Sequence, residues 1–232
     1  MKKKDNSVLV VAAHPDDEVL GCGGTIYKLT KKGTIVNIIF LSNGVDSRTI
    51  KNKKLIKKKI DTRKLNAKKA AKILGANSPI FLDLPDNQLD KFPLLILVKK
   101  IEFFIKKLSP KTVYTHWGGD LNIDHQYAHN SVITACRPLK KCSVKNIFFF
   151  EIPSSTEWQI PHKKKFFFSP NWFEDISATE NKKLRALKVY SSELKKWPHS
   201  RSLKGVKILA AWRGASAGVK SAEAFVLGRK II

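Results

Sequence analysis

The chain has 232 residues and a formal net charge of +25, from 44 Lys and Arg against 19 Asp and Glu. Its 43% hydrophobic content argues against a disordered chain, and its length suits one sizeable α/β core. No apolar run is long enough to span a bilayer. The cysteines Cys22, Cys136 and Cys142 form no CxxC pair, which favours a reducing, cytoplasmic setting over a disulfide scaffold.

Val8–Ala13 is a continuous apolar run, the mark of a strand covered on both faces. It is interrupted by charge too soon for a signal peptide. A helix is predicted from Glu18 to about Lys31, closed by Gly33, then a strand over 34–42. A basic helix follows from about Lys51 to Leu74 and ends at Gly75. Residues 79–84 read as the third strand, 94–108 as a helix stopped before Pro110, and 111–116 as the fourth strand. The polar loop "WGGDLNID" leads into a helix reaching about Cys136, and 145–152 reads as a fifth strand. The rhythm then weakens. Residues 153–175 read as an irregular insertion or lid in which Trp158 and Trp172 pack, followed by a helix near 180–196 and an apolar tail. Strands alternating with long helices predict one α/β domain over 1–232, a mostly parallel sheet with helices on both faces. Right-handed crossovers place the strand C-termini, where ligands bind in such sheets, along one edge. His14, the loop from Ser42 to Arg48, Asp83 with Asp86, and His116 to His125 all fall on that edge.

The stretch "VLVVAAHPDDEVLGCGGTI" sets His14, Asp16, Asp17 and Glu18 where the first strand ends. Grouped carboxylates repel unless protons or a cation offset them. His14 and Asp17, three apart at a loop-to-helix junction, suit a borderline cation such as Zn²⁺, which takes three protein ligands in catalytic sites. "GGDLNIDHQYAH" offers His125 and His129 as the third. Asp16 would then be free to act as general base toward a water made acidic by the metal. The alternative is a helix cap, which explains one carboxylate but not the group. "GCGG" is not a dinucleotide fingerprint and reads as close helix-to-sheet packing. No GxSxG occurs to support a serine nucleophile.

"AHPDDEVLGCGGTI", "GGDLNIDH" and the C-terminal "WRG…AEAF" together resemble the PIG-L/LmbE-like family of metal-dependent sugar de-N-acetylases. The resemblance implies a Rossmann-like three-layer α/β/α fold. It also implies removal of an acetyl group from an N-acetylglucosamine unit carried on an inositol, nucleotide, lipid or other glycoside. By resemblance, His14, Asp17 and His125 are the zinc ligands, Asp16 is the general base and Glu18 supports the site. In that family the second motif is commonly His-Pro-Asp-His. Here it is "NIDH", so Asn122 stands where a histidine would stabilise the oxyanion or protonate the leaving amine. An Asn amide can donate a hydrogen bond but not a proton. That leaves His129, His116 or Asp16 itself for the transfer. Asp124 is a candidate for orienting a ligand or another polar group, and His129 reads either as a runner-up ligand or as a surface histidine.

Arg48 and Arg213 are candidates for binding substrate hydroxyls or a phosphate, with structural ion pairing as the alternative. Trp117 is a candidate for stacking on a sugar. The positive charge fits a nucleotide- or lipid-linked substrate or an anionic membrane, or is a lysine bias spread over a solvated surface. It also motivates the rival reading, a basic polyanion-binding protein with a degenerate metal site.

Overall fold

The computed structural model describes residues 7–45, 52–140, 142–160 and 167–232. Its elements run β1 (Ser7–Ala12), α1 (Asp17–Lys31), β2 (Ile35–Ser42), α2 (Lys53–Leu74), β3 (Ile80–Leu84), α3 (Leu94–Leu108) and β4 (Thr112–His116). Then follow α4 (Ile123–Ala135), β5 (Asn146–Phe150), β6 (Trp172–Asp175), α5 (Glu180–Val189), α6 (Leu203–Ala215) and β7 (Ala222–Arg229). One seven-stranded sheet takes the order β3-β2-β1-β4-β5-β7-β6. β1 to β5 pair in parallel, whereas β7 runs antiparallel to both β5 and β6. The chain leaves β1 toward β2 and β3, then returns to place β4 on the other side of β1. The crevice between the C-terminal ends of β1 and β4 is therefore a topological switch point, where α/β sheets bind ligands.

Alternation along β1 sorts the core into two layers. Val8, Val10 and Ala12 face α1, α2, α5 and α6, while Leu9, Val11 and Ala13 face α3 and α4. This is the predicted α/β/α sandwich. The glycines of "GCGG" serve packing, as expected. A Cβ on Gly24 would come within 2.7 Å of Ile176 Cγ2, and one on Gly21 would strike the Phe150 ring. Helix α1 is kinked at Cys22 (φ −146°). Glu223 on β7 accepts the Gly24 and Thr25 amides just beyond the kink, at 2.9 and 2.7 Å. Lys183 Nζ neutralises Glu223 at 2.7 Å.

Two expectations need correction. Trp172, read as part of a lid, begins strand β6, packs on Phe148 and donates its indole N–H to Glu174. The helix expected to reach 196 stops at Val189, because the turns that follow carry Tyr190 and Glu193 toward the crevice. Among the described residues, no helix is long and apolar enough to cross a membrane.

Candidate metal centre

His14, Asp17 and His125 each offer a ligand atom, and the three atoms lie within 4.8 Å of one another. All three residues are buried. Two loops converge to do this. After β1 the chain turns so that Asp17 Oδ2 accepts the His14 backbone N–H at 2.9 Å and sits 3.2 Å from His14 Nδ1. His125, in the first turn of α4, reaches the same carboxylate oxygen with Nε2 at 3.4 Å. Burial raises the Asp17 pKa, but His125 and His14 outweigh it and hold the carboxyl well below its usual range. The other oxygen, Asp17 Oδ1, is buried without a hydrogen-bond partner among the described residues. A buried carboxylate with one oxygen beside two imidazoles and the other unpaired suits a cation.

Each histidine is braced from behind. His14 Nε2 lies 3.0 Å from Asp124 Oδ2 and 3.1 Å from Asp86 Oδ1. Asp124 is itself fixed by the Asn87 and Leu89 amides at 2.8 and 2.9 Å. With Nε2 carrying its proton toward these carboxylates, Nδ1 presents its lone pair beside Asp17, the carboxylate–histidine arrangement found behind metal ligands. His14, Asp86 and Asp124 also lie close enough to form a second possible cation group. Its Asp124 oxygens already accept two backbone amides, so we assign it the bracing role. His125 Nδ1 lies 3.0 Å from Asp120 Oδ1. Asp120 in turn accepts the Asn122 amide at 2.8 Å, the Thr156 hydroxyl at 2.6 Å and the Ser155 hydroxyl. Burial raises the Asp120 carboxyl, yet His125 and these hydroxyls bring it down to about 2. Burial lowers His125, but Asp120 and Asp17 push it up to about 9.

Asp16 stands beside the group in a conformation unusual for its residue type, φ 122°, which must be held by its surroundings. Glu18 Oε2 accepts the Asp16 N–H at 3.0 Å, and the Tyr190 hydroxyl donates to Glu18 Oε1 at 2.7 Å. Burial pushes the Glu18 carboxyl up to about 8. The Asp16 side chain lies between two guanidinium groups, Oδ1 3.3 Å from Arg63 Nη2 and Oδ2 3.4 Å from Arg201 Nη1. Burial raises its pKa, and Arg63 and Arg201 partly reverse this. Arg63 is the fixed member. It donates to the carbonyls of Pro15 (3.0 Å) and Gly44 (2.7 Å) and pairs with Glu193 at 3.1 Å. The Arg201 Nε is buried without a hydrogen-bond partner among the described residues.

The other anticipated residues lie elsewhere or do other work. Asn122 caps α4, its Oδ1 accepting the Asp124 and His125 amides at 2.8 and 3.4 Å. Its Nδ2 donates to Asn87 Oδ1 at 3.0 Å. His129 is not in the ligand group. Its Nδ1 lies 2.9 Å from the His116 carbonyl, its ring packs against Phe149 and Trp117, and burial lowers its pKa. His116 accepts the Ala13 N–H on Nε2 at 2.8 Å and stacks on His125 with ring centroids 4.0 Å apart. Burial and His125 hold it well below its usual pKa, so it is a neutral tie between β1 and β4. Arg213 is a structural ion-pair residue, bound through two nitrogens to Glu151 at 2.7 Å each. Trp117 packs edge-on to His129 and Phe168, and no described ring contact joins it to His14 or His125. Arg48 lies outside the described residues.

The sequence placed Asp86 on the binding edge without a role, and gave none to Asp120, Arg63, Tyr190, Glu193 and Arg201. Asp120 was within reach, two positions before Asn122 in the quoted motif. Arg63 carried only a faint signal, an arginine in a helix otherwise rich in lysine.

Comparison with known proteins gives this geometry its context. The chain is 29% identical over 195 residues to the uncharacterized deacetylase YaiS of Escherichia coli K12, covering 82% of this chain and 92% of YaiS. The N,N'-diacetylchitobiose deacetylase of Pyrococcus horikoshii superposes with a TM-score of 0.78 at 21% identity, covering 97% of this chain and 84% of that one. GalB, the 4-carboxy-2-hydroxymuconate hydratase of Pseudomonas putida KT2440, superposes with a TM-score of 0.76 at 23% identity and 97% coverage of both chains. These likenesses show a fold shared by deacetylases and a hydratase. The model of the family PIG-L, GlcNAc-PI de-N-acetylase, matches residues 9–136, the stretch that holds every residue of the ligand group together with Asp16, and the chain belongs to this family of deacetylases.

Proposed function

We propose that this protein hydrolyses the N-acetyl group of a GlcNAc-type amino-sugar conjugate, with Zn²⁺ as cofactor held by His14, Asp17 and His125. The observation that carries the proposal is the convergence of three ligand atoms within 4.8 Å, beside a separate buried carboxylate, Asp16, at the switch point of the sheet. Two imidazoles and one carboxylate suit zinc and leave room for solvent or substrate. When bound there, Zn²⁺ supplies Lewis acidity, polarising the amide carbonyl and lowering the pKa of water from ~15.7 to ~7.

The protein's own residues do the rest. Asp16 takes the proton of the attacking water as the new C–O bond forms, and burial suits it to this role by raising its pKa. It passes that proton to the amine nitrogen as the C–N bond breaks, giving acetate and a free amine. No histidine is free at position 122, so this shuttle falls to Asp16. Arg201, whose Nη1 reaches Asp16 and whose buried Nε has no hydrogen-bond partner among the described residues, is the group assigned to the developing oxyanion. Asn122 has one amide hydrogen committed to Asn87 and its oxygen to the helix, so it can contribute at most its second amide hydrogen.

Hydration of an unsaturated acid, the chemistry in GalB's name, is the rival for the same scaffold. Release of acetate from N-acetylglucosamine, free or conjugated to a nucleotide, lipid or inositol, separates the two. About one zinc per chain and acetate release that stops in Asp16→Asn is the expected result. A zinc-loaded protein that releases no acetate from any of these, yet hydrates an unsaturated tricarboxylate such as 4-carboxy-2-hydroxymuconate, would replace the proposal with its rival.

A further inference from the structure

From Leu194 to Ala222 the sequence contains no Asp or Glu, but holds Lys195, Lys196, Arg201, Lys204, Lys207, Arg213 and Lys220. The same segment carries large apolar side chains that the fold leaves in solvent. Trp197 is 51% exposed, Ile208 47% and Trp212 66%, and the neighbouring 150s add Trp158 at 50% and Ile160 at 70%. The three on the segment itself are not scattered. Trp197, Pro198, Ile208 and Trp212 line one groove of about 340 Å³ with Pro153 and Glu157. Trp158 joins the segment edge-on to His199, ring centroids 5.3 Å apart. Lys204 Nζ lies 4.6 Å over the Trp197 ring, and Lys195, Lys196 and Lys207 are exposed around it. The groove's two carboxylates are engaged: Glu157 accepts the Ser154 and Ser155 amides, and Glu151 is bound by Arg213.

We propose that this face docks on the surface of an anionic lipid bilayer. A contiguous apolar patch on a soluble fold marks an interaction surface, and its cationic rim selects the partner. A second copy of a chain carrying +25 would set the same lysines against each other. A nucleic acid would satisfy the lysines and stack on the indoles, but it offers no apolar phase to Ile160 and Ile208. A bilayer with anionic headgroups satisfies both. Indoles settle at the headgroup level with the ring toward the acyl chains, while lysines pair with lipid phosphates above them. Docking also has a consequence for the crevice, because Arg201 of the same segment reaches Asp16 at 3.4 Å. A membrane-held face would fix one wall of the site. The proposal stands on surface residues alone and does not depend on the reaction proposed above.

Co-sedimentation with vesicles tests it, using phosphatidylcholine alone and phosphatidylcholine mixed with phosphatidylglycerol at physiological salt. The expected result is binding to the mixed vesicles at least about tenfold stronger than to the neutral ones, with a blue shift of tryptophan emission. Trp197→Ser with Trp212→Ser, and separately Lys204→Glu with Lys207→Glu, should each weaken binding by about tenfold. Thermal unfolding of these surface variants should match the parent, showing that the fold is intact. The proposal is overturned if the parent chain ignores both vesicle types. It is equally overturned if binding falls with salt but is indifferent to the tryptophan changes, which would be polycation adsorption. Self-association in sedimentation velocity that the tryptophan changes abolish would assign the face to a second copy. Tighter, tryptophan-dependent binding to a single-stranded oligonucleotide would assign it to nucleic acid.

Discussion

Two runs, His14 to Glu18 and Asp120 to His125, bring ligands and base to the crevice together. Other residues reach it as single side chains from separate elements, Arg63 and Asp86 before the second run and Thr156, Tyr190, Glu193 and Arg201 after it. The difference follows from what each set must do. Ligands and base have to meet within one turn of backbone, and neighbouring positions on a strand-to-helix loop are the simplest way to achieve that. Supporting groups need only reach a carboxylate already in place, so any loop over the sheet edge can provide them. If this division is right, changes in the runs should abolish chemistry, and changes in the single side chains should weaken it by degrees.

The largest effect is expected at Asp16. Asp16→Asn keeps the size and the zinc ligands but removes the base, and should lower kcat by about 10²–10⁴-fold with zinc content unchanged. Next is Asp120→Asn, behind His125, for which zinc affinity measured by chelator competition should fall about 10–100-fold. Tyr190→Phe removes one supporting hydroxyl from Glu18. It should reduce kcat about tenfold with little change in KM, since the lost hydrogen bond acts through Asp16. A Tyr190→Phe loss as large as that of Asp16→Asn would break the division between runs and single side chains.

The metal-free protein should also show a pH signature. His125 is raised from 6.5 to about 9 by its carboxylate partners, so its stabilising contribution is complete below pH 6.5 and is lost as pH rises to about 9. Glu18, raised from 4.5 to about 8 by burial, contributes in the same direction, with stability lost between those values as pH rises. Zinc needs His125 neutral, so its binding strengthens as protons leave. The rise in Tm on adding zinc should therefore be larger at alkaline than at mildly acidic pH. Glu18→Gln should flatten the metal-free profile. An equal zinc effect at both pH values would argue that His125 is not a ligand.

Legibility in the sequence followed the same line. β1 to β5, the α/β/α layering and the cluster around His14 were readable, because apolar runs and contiguous carboxylates are local signals. The antiparallel return of β6 and β7 was not, because Trp172–Asp175 is short and its partner lies 50 residues on at Ala222–Phe225. Tyr190 and Glu193 looked like the continuation of a helix, and their role appears only when the turn after Val189 is seen to face α1 and α2. Arg213 shows the opposite case: a prominent motif arginine takes the ion-pairing role left open for it, on Glu151, while Arg63 and Arg201, unremarked in the sequence, hold Asp16.

Asn122 offers the finest test, because it sits inside a run yet does the work of a single supporting residue. As a helix cap it satisfies two orphan amides of α4 and sets the first turn that carries Asp124 and His125. Asn122→Ala should then cost about 1 kcal/mol of stability and loosen zinc modestly. An oxyanion donor would show a different balance, with kcat falling about 10²-fold at full zinc occupancy. Asn122→Asp separates the two, since an aspartate caps as well as asparagine but donates nothing. Retained kcat in Asn122→Asp, alongside an Arg201→Gln variant that loses about 10²-fold, would place oxyanion stabilisation on a single side chain outside the runs. That would qualify the division between runs and single side chains. The run would supply metal and base, and one distant arginine would complete the chemistry where the motif lacks its histidine.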